Sequence, residues 1–105
     1  MTALHTLTAL EQWRLLHNGD ITPRELVAHY LERIERLNPT VGALTAVDGD
    51  RALAAADALP DRHARTAPLW GLPIVDKELV ARAGQRTTYG SRLFADYVPD
   101  ASDEL

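Results

Sequence analysis

Two helix-start signals in the first quarter of the chain constrain its fold more than any other feature. Thr8-Ala9-Leu10-Glu11 sets a hydroxyl three residues before a carboxylate, the spacing at which each side chain satisfies the other's free backbone amide. Leu10, Trp13 and Leu16 follow at helical spacing, and Asn18-Gly19 supplies the stop. Thr22-Pro23-Arg24-Glu25 repeats the device with proline at the first helical position, and Leu26, Val27, Tyr30, Leu31, Ile34 and Leu37 give a broad apolar face. The pattern predicts two amphipathic helices, the second ending at Asn38-Pro39. Trp13 and Tyr30 occupy apolar positions of these helices and read as core residues.

Beyond them, residues 42–47 form a short apolar run that predicts a strand, and Asp48-Gly49-Asp50 offers a cap for an alanine-rich helix over residues 51–59. Residues 60–68 are polar and punctuated by proline, which predicts a surface loop. Gly84 and Gly90 flank Thr87-Thr88-Tyr89, a turn with a short extended piece. Near the end, Ser102 and Asp103 before Glu104 and Leu105 look like the cap and first turn of a helix, and read equally well as a frayed acidic terminus. No internal repeat, low-complexity tract or linker divides the chain, so residues 1–105 read as a portion of one domain without an internal boundary.

Composition removes several function classes. With 46% hydrophobic and 25% charged residues the chain is of globular type. Its 11 basic residues are scattered among 15 acidic ones for a net charge of −4, so there is no basic stripe to neutralise phosphates and no nucleic-acid partner is expected. The absence of cysteine excludes disulfides, thiolate chemistry and cysteine-ligated zinc. No apolar run approaches the ~20 residues of a membrane span, and Met-Thr-Ala-Leu-His-Thr is not a signal peptide, so the expected location is cytoplasmic, away from membranes. The terminal Ser-Asp-Glu-Leu, without an entry signal, reads as coincidence rather than a retention tail. His5, His17, His29 and His63 lack partners at ligand spacing, which argues against a metal site, and no cofactor motif is present. Neither a Gly-x-Ser-x-Gly elbow nor a phosphate-binding glycine loop occurs. Ser91 and Ser102 are the only serines, and Ser91 beside Gly90 reads as a turn residue.

The chemistry-bearing feature is Pro68-Leu69-Trp70-Gly71-Leu72-Pro73-Ile74-Val75-Asp76-Lys77-Glu78-Leu79. If residues 72–80 form a strand, alternation places Pro73, Val75, Lys77 and Leu79 on one face, and the lysine has only apolar neighbours there. A lysine titrates near ~10.4 in water, so holding it neutral at pH 7 costs about 5 kcal/mol unless burial shifts it by as much as ~3–5 units. Such a lysine can act as a base. The residues alone leave equally open a partly buried lysine paired with Asp76, Glu78 or another carboxylate.

Gly71-Leu72-Pro73-Ile74-Val75-Asp76-Lys77-Glu78, followed by Ala83-Gly84-Gln85-Arg86-Thr87-Thr88-Tyr89-Gly90-Ser91, resembles the start of the amidase signature family. The resemblance extends over nearly the whole chain, from Thr22-Pro23-Arg24-Glu25-Leu26-Val27 and Arg33-Ile34-Glu35-Arg36-Leu37-Asn38-Pro39 to Val98-Pro99 and Asp103. It implies the N-terminal part of an α/β/α sandwich with a mixed sheet: two helices, a strand, a helix and a lysine-bearing strand. It also implies hydrolysis of amide bonds by a Ser-cisSer-Lys triad in which Lys77 is the catalytic lysine, no cofactor takes part, and the substrate is a small-molecule amide. Both triad serines stand beyond residue 105 in members of the family. The expected partner is therefore the C-terminal remainder of the amidase domain, in the same protein or a separate chain, and the 105 residues alone are expected to be inactive. The family has an apolar residue before its lysine and an aspartate after it, where this chain has Asp76 and Glu78. An Asp76 carboxylate against the ammonium would hold the lysine charged. Two alternatives share these motifs: a noncatalytic binding or assembly module on the same scaffold, and the N-terminal part of the amidase component of a glutamyl-tRNA amidotransferase.

Overall fold

The computed structural model describes residues 2–61 and 67–104. The chain divides into two compact units, Met1–Val41 with Gly49–Pro73 and Gly42–Asp48 with Ile74–Leu105.

The first unit is helical. A 3-10 turn at Leu4–Thr6 leads into helix α1, Ala9–Asn18, then α2, Pro23–Val41, and α3, Gly49–Asp57. Both capping boxes form as the sequence predicts. The Glu11 amide donates to the Thr8 hydroxyl while the Thr8 amide donates to the Glu11 carboxylate at 2.7 Å. Thr22 and Glu25 exchange the same pair at 2.7 and 3.1 Å. Gly19 ends α1 in the left-handed region, φ +78°, with its N–H on the Leu15 and Leu16 carbonyls.

Leu16 of α1 and Leu26 of α2 are the fully buried side chains, 1% and 0% exposed, and Trp70 joins them. Leu4, Ile21, Tyr30 and Leu72 close around this core. Buried Gln12 donates to the Leu4 carbonyl at 2.9 Å and the Tyr30 hydroxyl at 2.7 Å, so its amide enters the core hydrogen-bonded. Gly71 adopts φ +82°, and a Cβ there would lie 3.1 Å from the Leu16 side chain, so the chain passes the core only without one. Arg24 and Asp57 form an ion pair between α2 and α3.

The second unit contains one regular element among its described residues, a 3-10 turn at Arg92–Phe94. Its frame is two pieces of backbone in antiparallel order. Asp103 N–H donates to the Ala81 carbonyl at 2.9 Å, Gly84 N–H to Pro99 at 3.0 Å and Thr87 N–H to Tyr97 at 2.9 Å. Tyr89, Phe94 and Tyr97 pack as an aromatic cluster with centroids 5.4–6.1 Å apart.

The structure corrects several expectations. No strand is present among the described residues, neither at 42–47 nor at 72–80. A strand exists through a ladder with a second segment, and no such ladder forms at either run among the described residues. Helix α2 continues through Pro39 to Val41. A proline so near the end forfeits one hydrogen bond of the last turn, and Gly42, φ +64°, follows as the stop. Helix α3 spans Gly49–Asp57 rather than 51–59. Trp13 is half-buried outside the core, donating from its indole to the Pro68 carbonyl at 2.7 Å, while Tyr30 packs against the core. Residues 102–104 form no helix. Ser102 and Asp103 instead accept from the Ala83 and Ala81 amides at 2.9 and 2.8 Å, the donor-satisfying role of a cap turned onto a loop.

Candidate functional site

The charged run Asp76-Lys77-Glu78 lies in the second unit. Val80 N–H donates to the Lys77 carbonyl at 2.9 Å, so the chain turns immediately after the lysine instead of running straight to residue 80. That turn sends the three side chains to different surroundings.

Glu78 is the most tightly held. It accepts from the Thr88 amide at 2.7 Å, the Thr88 hydroxyl at 2.5 Å, and the Thr45 hydroxyl. Arg86 secures the same corner by donating to the Thr45 carbonyl at 2.7 Å and the Ala95 carbonyl at 3.1 Å. The Thr45 hydroxyl, then the Thr88 hydroxyl and amide, stabilise the carboxylate and pull Glu78 down from an ordinary 4.5 to about 2. A carboxyl lowered on folding contributes stability that is present above its unfolded value and lost as pH falls through its folded one. The Thr45–Glu78–Thr88 link is therefore expected to persist from neutral pH down past 4.5 and to release towards 2. The Thr88 amide resonance followed through an acid titration checks this. A midpoint near the ordinary value, or an identical titration in Glu78→Gln, would contradict it.

Asp76 is engaged elsewhere. Its two oxygens accept from Arg82, Nε at 2.6 Å and Nη2 at 3.0 Å, a bidentate ion pair. Those hydrogen bonds hold Asp76 below the usual carboxylate range.

Lys77 is exposed, and its ammonium has no hydrogen-bond or ion-pair partner among the described residues. Both readings left open by the sequence are thereby revised. The lysine is not paired with Asp76 or Glu78, because each is committed to other donors. Nor is it buried: Ile74 and Val75, on opposite sides of the expected strand, are 73% and 72% exposed, so the segment has no covered apolar face. The arrangement presents an amine cleared of carboxylates, and the desolvation that favours a neutral base is not supplied by this unit.

The remaining candidates do not assemble a second centre. Among the described residues no group of histidines and carboxylates could hold a metal ion. Two histidines distant in sequence do meet: His5 Nδ1 and His29 Nε2 are 2.9 Å apart with stacked rings. His17 stacks on Trp13, and His63 lies outside the described residues, as do residues 62–66 of the expected loop. Ser91 caps the 3-10 turn at Arg92–Phe94. An open depression of about 210 Å³ over Leu16, Ile21, Pro23, Leu59, Asp61 and Trp70 belongs to the helical unit. No helix among the described residues is long and apolar enough to cross a membrane. Sequence reasoning missed Arg82, Thr45 and Thr88. Their contacts with Asp76 and Glu78 span 6, 33 and 10 residues and follow no helix or strand period, which leaves no local signature.

Known proteins share this sequence over most of its length. A family model described as Amidase matches residues 25–105. The glutamyl-tRNA(Gln) amidotransferase subunit from Roseiflexus sp. (strain RS-1) is 39% identical over 101 residues, covering 94% of this chain and 21% of its own length. The protein of the same name from Chloroflexus aurantiacus (strain ATCC 29366 / DSM 635 / J-10-fl) is 40% identical over 102 residues, with 94% and 21% covered. That from Synechococcus sp. (strain WH7803) is 38% identical over 95 residues, with 87% and 20% covered. The chain thus spans about a fifth of the length of the curated relatives it matches.

Proposed function

The chain belongs to the amidase family, and on that footing we propose that Lys77 is the proton acceptor of a Ser-cisSer-Lys centre that hydrolyses a small-molecule amide. The observation that carries this reading is the state of Lys77: it stands in the family's motif, and the carboxylates on either side are tied to Arg82 and to Thr45 and Thr88. The serines come from the remainder of the amidase domain, whether in the same protein or a separate chain. Docking of that remainder extends the architecture to an α/β/α sandwich in which residues 72–80 gain a ladder partner. The exposed Ile74, Val75 and Leu79 are apolar surface of the kind that such a partner covers, and covering them desolvates the neighbouring amine. Neutral Lys77 then takes the proton of the cis-serine as the latter takes that of the nucleophilic serine. The nucleophile attacks the amide carbonyl, backbone amides hold the oxyanion, the amine departs with a proton, and water releases the acid from the acyl-enzyme.

A second reading is favoured by the names of the relatives: the chain is the amino-terminal part of the corresponding component of a glutamyl-tRNA(Gln) amidotransferase. Copurification of the other amidotransferase components with the native protein would favour it over a free-standing amidase. The noncatalytic alternative draws no support from an Asp76–Lys77 contact, since the Asp76 carboxylate is held by Arg82.

The direct test is complementation. The 105-residue chain alone is expected to give no turnover of a simple amide, and turnover is expected when the serine-bearing remainder is supplied. Hydrolysis by the isolated chain, or none after complementation, would overturn the proposal.

A further inference from the structure

We propose that Arg82 is a positioning residue for Lys77: its bidentate hold on Asp76 keeps that carboxylate away from the lysine amine. The inference rests on the role of Lys77 proposed above. An aspartate immediately before a base lysine is a hazard, because an opposite charge within ~4–6 Å favours the ammonium and raises an amine's titration by about 1–3 units. Asp76 departs from the family's apolar residue at this place, so this chain needs a way to neutralise it.

The geometry supplies one. Both Asp76 oxygens are filled, by Nε at 2.6 Å and Nη2 at 3.0 Å, and the guanidinium's fork matches the carboxylate plane in a way a lysine could not. The pair is partly sheltered, with side chains 31% and 27% exposed for Arg82 and Asp76. Arg82 itself is fixed from both sides in sequence, since Ala81 N–H donates to the Asp103 carboxylate and Ala83 N–H to the Ser102 hydroxyl. The other charged groups that touch this segment are engaged elsewhere. Glu78 is bound to Thr45 and Thr88, Asp103 to the Ala81 amide, Asp76 to Arg82, and Arg86 donates to the Thr45 and Ala95 carbonyls. Of the two carboxylates flanking Lys77, Asp76 is the one held by a single side chain, so a single substitution releases it.

Lys77 is the only lysine in the 105 residues, which makes its ionisation readable by chemistry. In the serine-complemented protein, competitive acetylation with acetic anhydride over a pH series, scored by mass spectrometry of the Lys77 peptide, reports the midpoint at which the amine becomes reactive. Arg82→Met is expected to raise that midpoint by about one unit or more and to move the acidic limb of kcat/KM up by the same amount. Arg82→Lys, which keeps the charge and loses the fork, is expected to fall between. The double variant Asp76→Asn/Arg82→Met is expected to return to the parent midpoint. An unmoved midpoint in Arg82→Met, or a shift that persists in the double variant, overturns the proposal, the latter because the cause would be distorted folding and not the freed carboxylate. The midpoint is read without turnover. Full activity in Lys77→Ala would therefore sink the base assignment while the midpoint shift still judges the Arg82–Asp76 clamp.

Discussion

Alanine in place of Lys77 is expected to lower amide hydrolysis by the complemented protein by roughly 10²–10⁴-fold, the usual contribution of a positioned acid–base group. The loss should fall on kcat and kcat/KM together, because in the proposed centre the amine acts on the serines and not on the substrate's binding groups. Because Lys77 is exposed within its unit, its replacement removes no packing there, and the thermal midpoint should stay close to that of the parent. Single-turnover acylation with an activated ester separates the steps: the burst of acyl-enzyme should slow with the same factor. A variant that folds, binds its remainder and hydrolyses amide at the parental rate would remove Lys77 from the mechanism.

Leu26→Ala is expected to cost about 2–5 kcal/mol, the range for emptying a fully packed aliphatic site. Leu26 is 0% exposed and clusters with Leu16, itself 1% exposed, and with Trp70, and few other hydrophobic side chains among the described residues are buried to share the loss. Against a total stability of roughly 5–15 kcal/mol for a domain, that removes a large share of what holds the α1–α2 pair, and a lowered thermal midpoint is expected. Helical circular dichroism through a thermal ramp measures it, and Trp70 fluorescence should report the same transition. Leu26→Met, which conserves volume, should cost less than ~1.5 kcal/mol. A loss under about 1 kcal/mol in Leu26→Ala would mean that the core is elsewhere.

What the sequence reveals of this molecule follows the range of the forces involved. The capping boxes at Thr8–Glu11 and Thr22–Glu25 were readable because both partners lie within one helical turn. Gly19 was readable as a stop for the same reason. Strands at 42–47 and 72–80 were not decidable from local pattern, since a ladder is a property of two segments and none is assigned at either run among the described residues. Trp70 sits in the core although no local pattern marks it for burial, because that burial depends on helices far away in sequence. At the candidate site the motif around Lys77 singles out the residue, whereas its surroundings came only with the fold. Nothing in the spacing of Asp76 and Arg82, or of Glu78 and Thr45, announces that these side chains meet.

The cross-links between residues 81–87 and 97–103 have a further consequence for how this chain can vary in length. Ala81 and Ala83 are fastened to Asp103 and Ser102, and Gly84 and Thr87 to Pro99 and Tyr97, so the excursion between them is closed at its base by bonds that do not involve its tip. The tip carries Leu93, 93% exposed, on the turn at Arg92–Phe94. Closing a longer loop on the same base adds only about 0.6 kcal/mol for each doubling. Insertions at that turn should therefore pass with little penalty, while a single residue added between Ala81 and Thr87 would throw the base out of register.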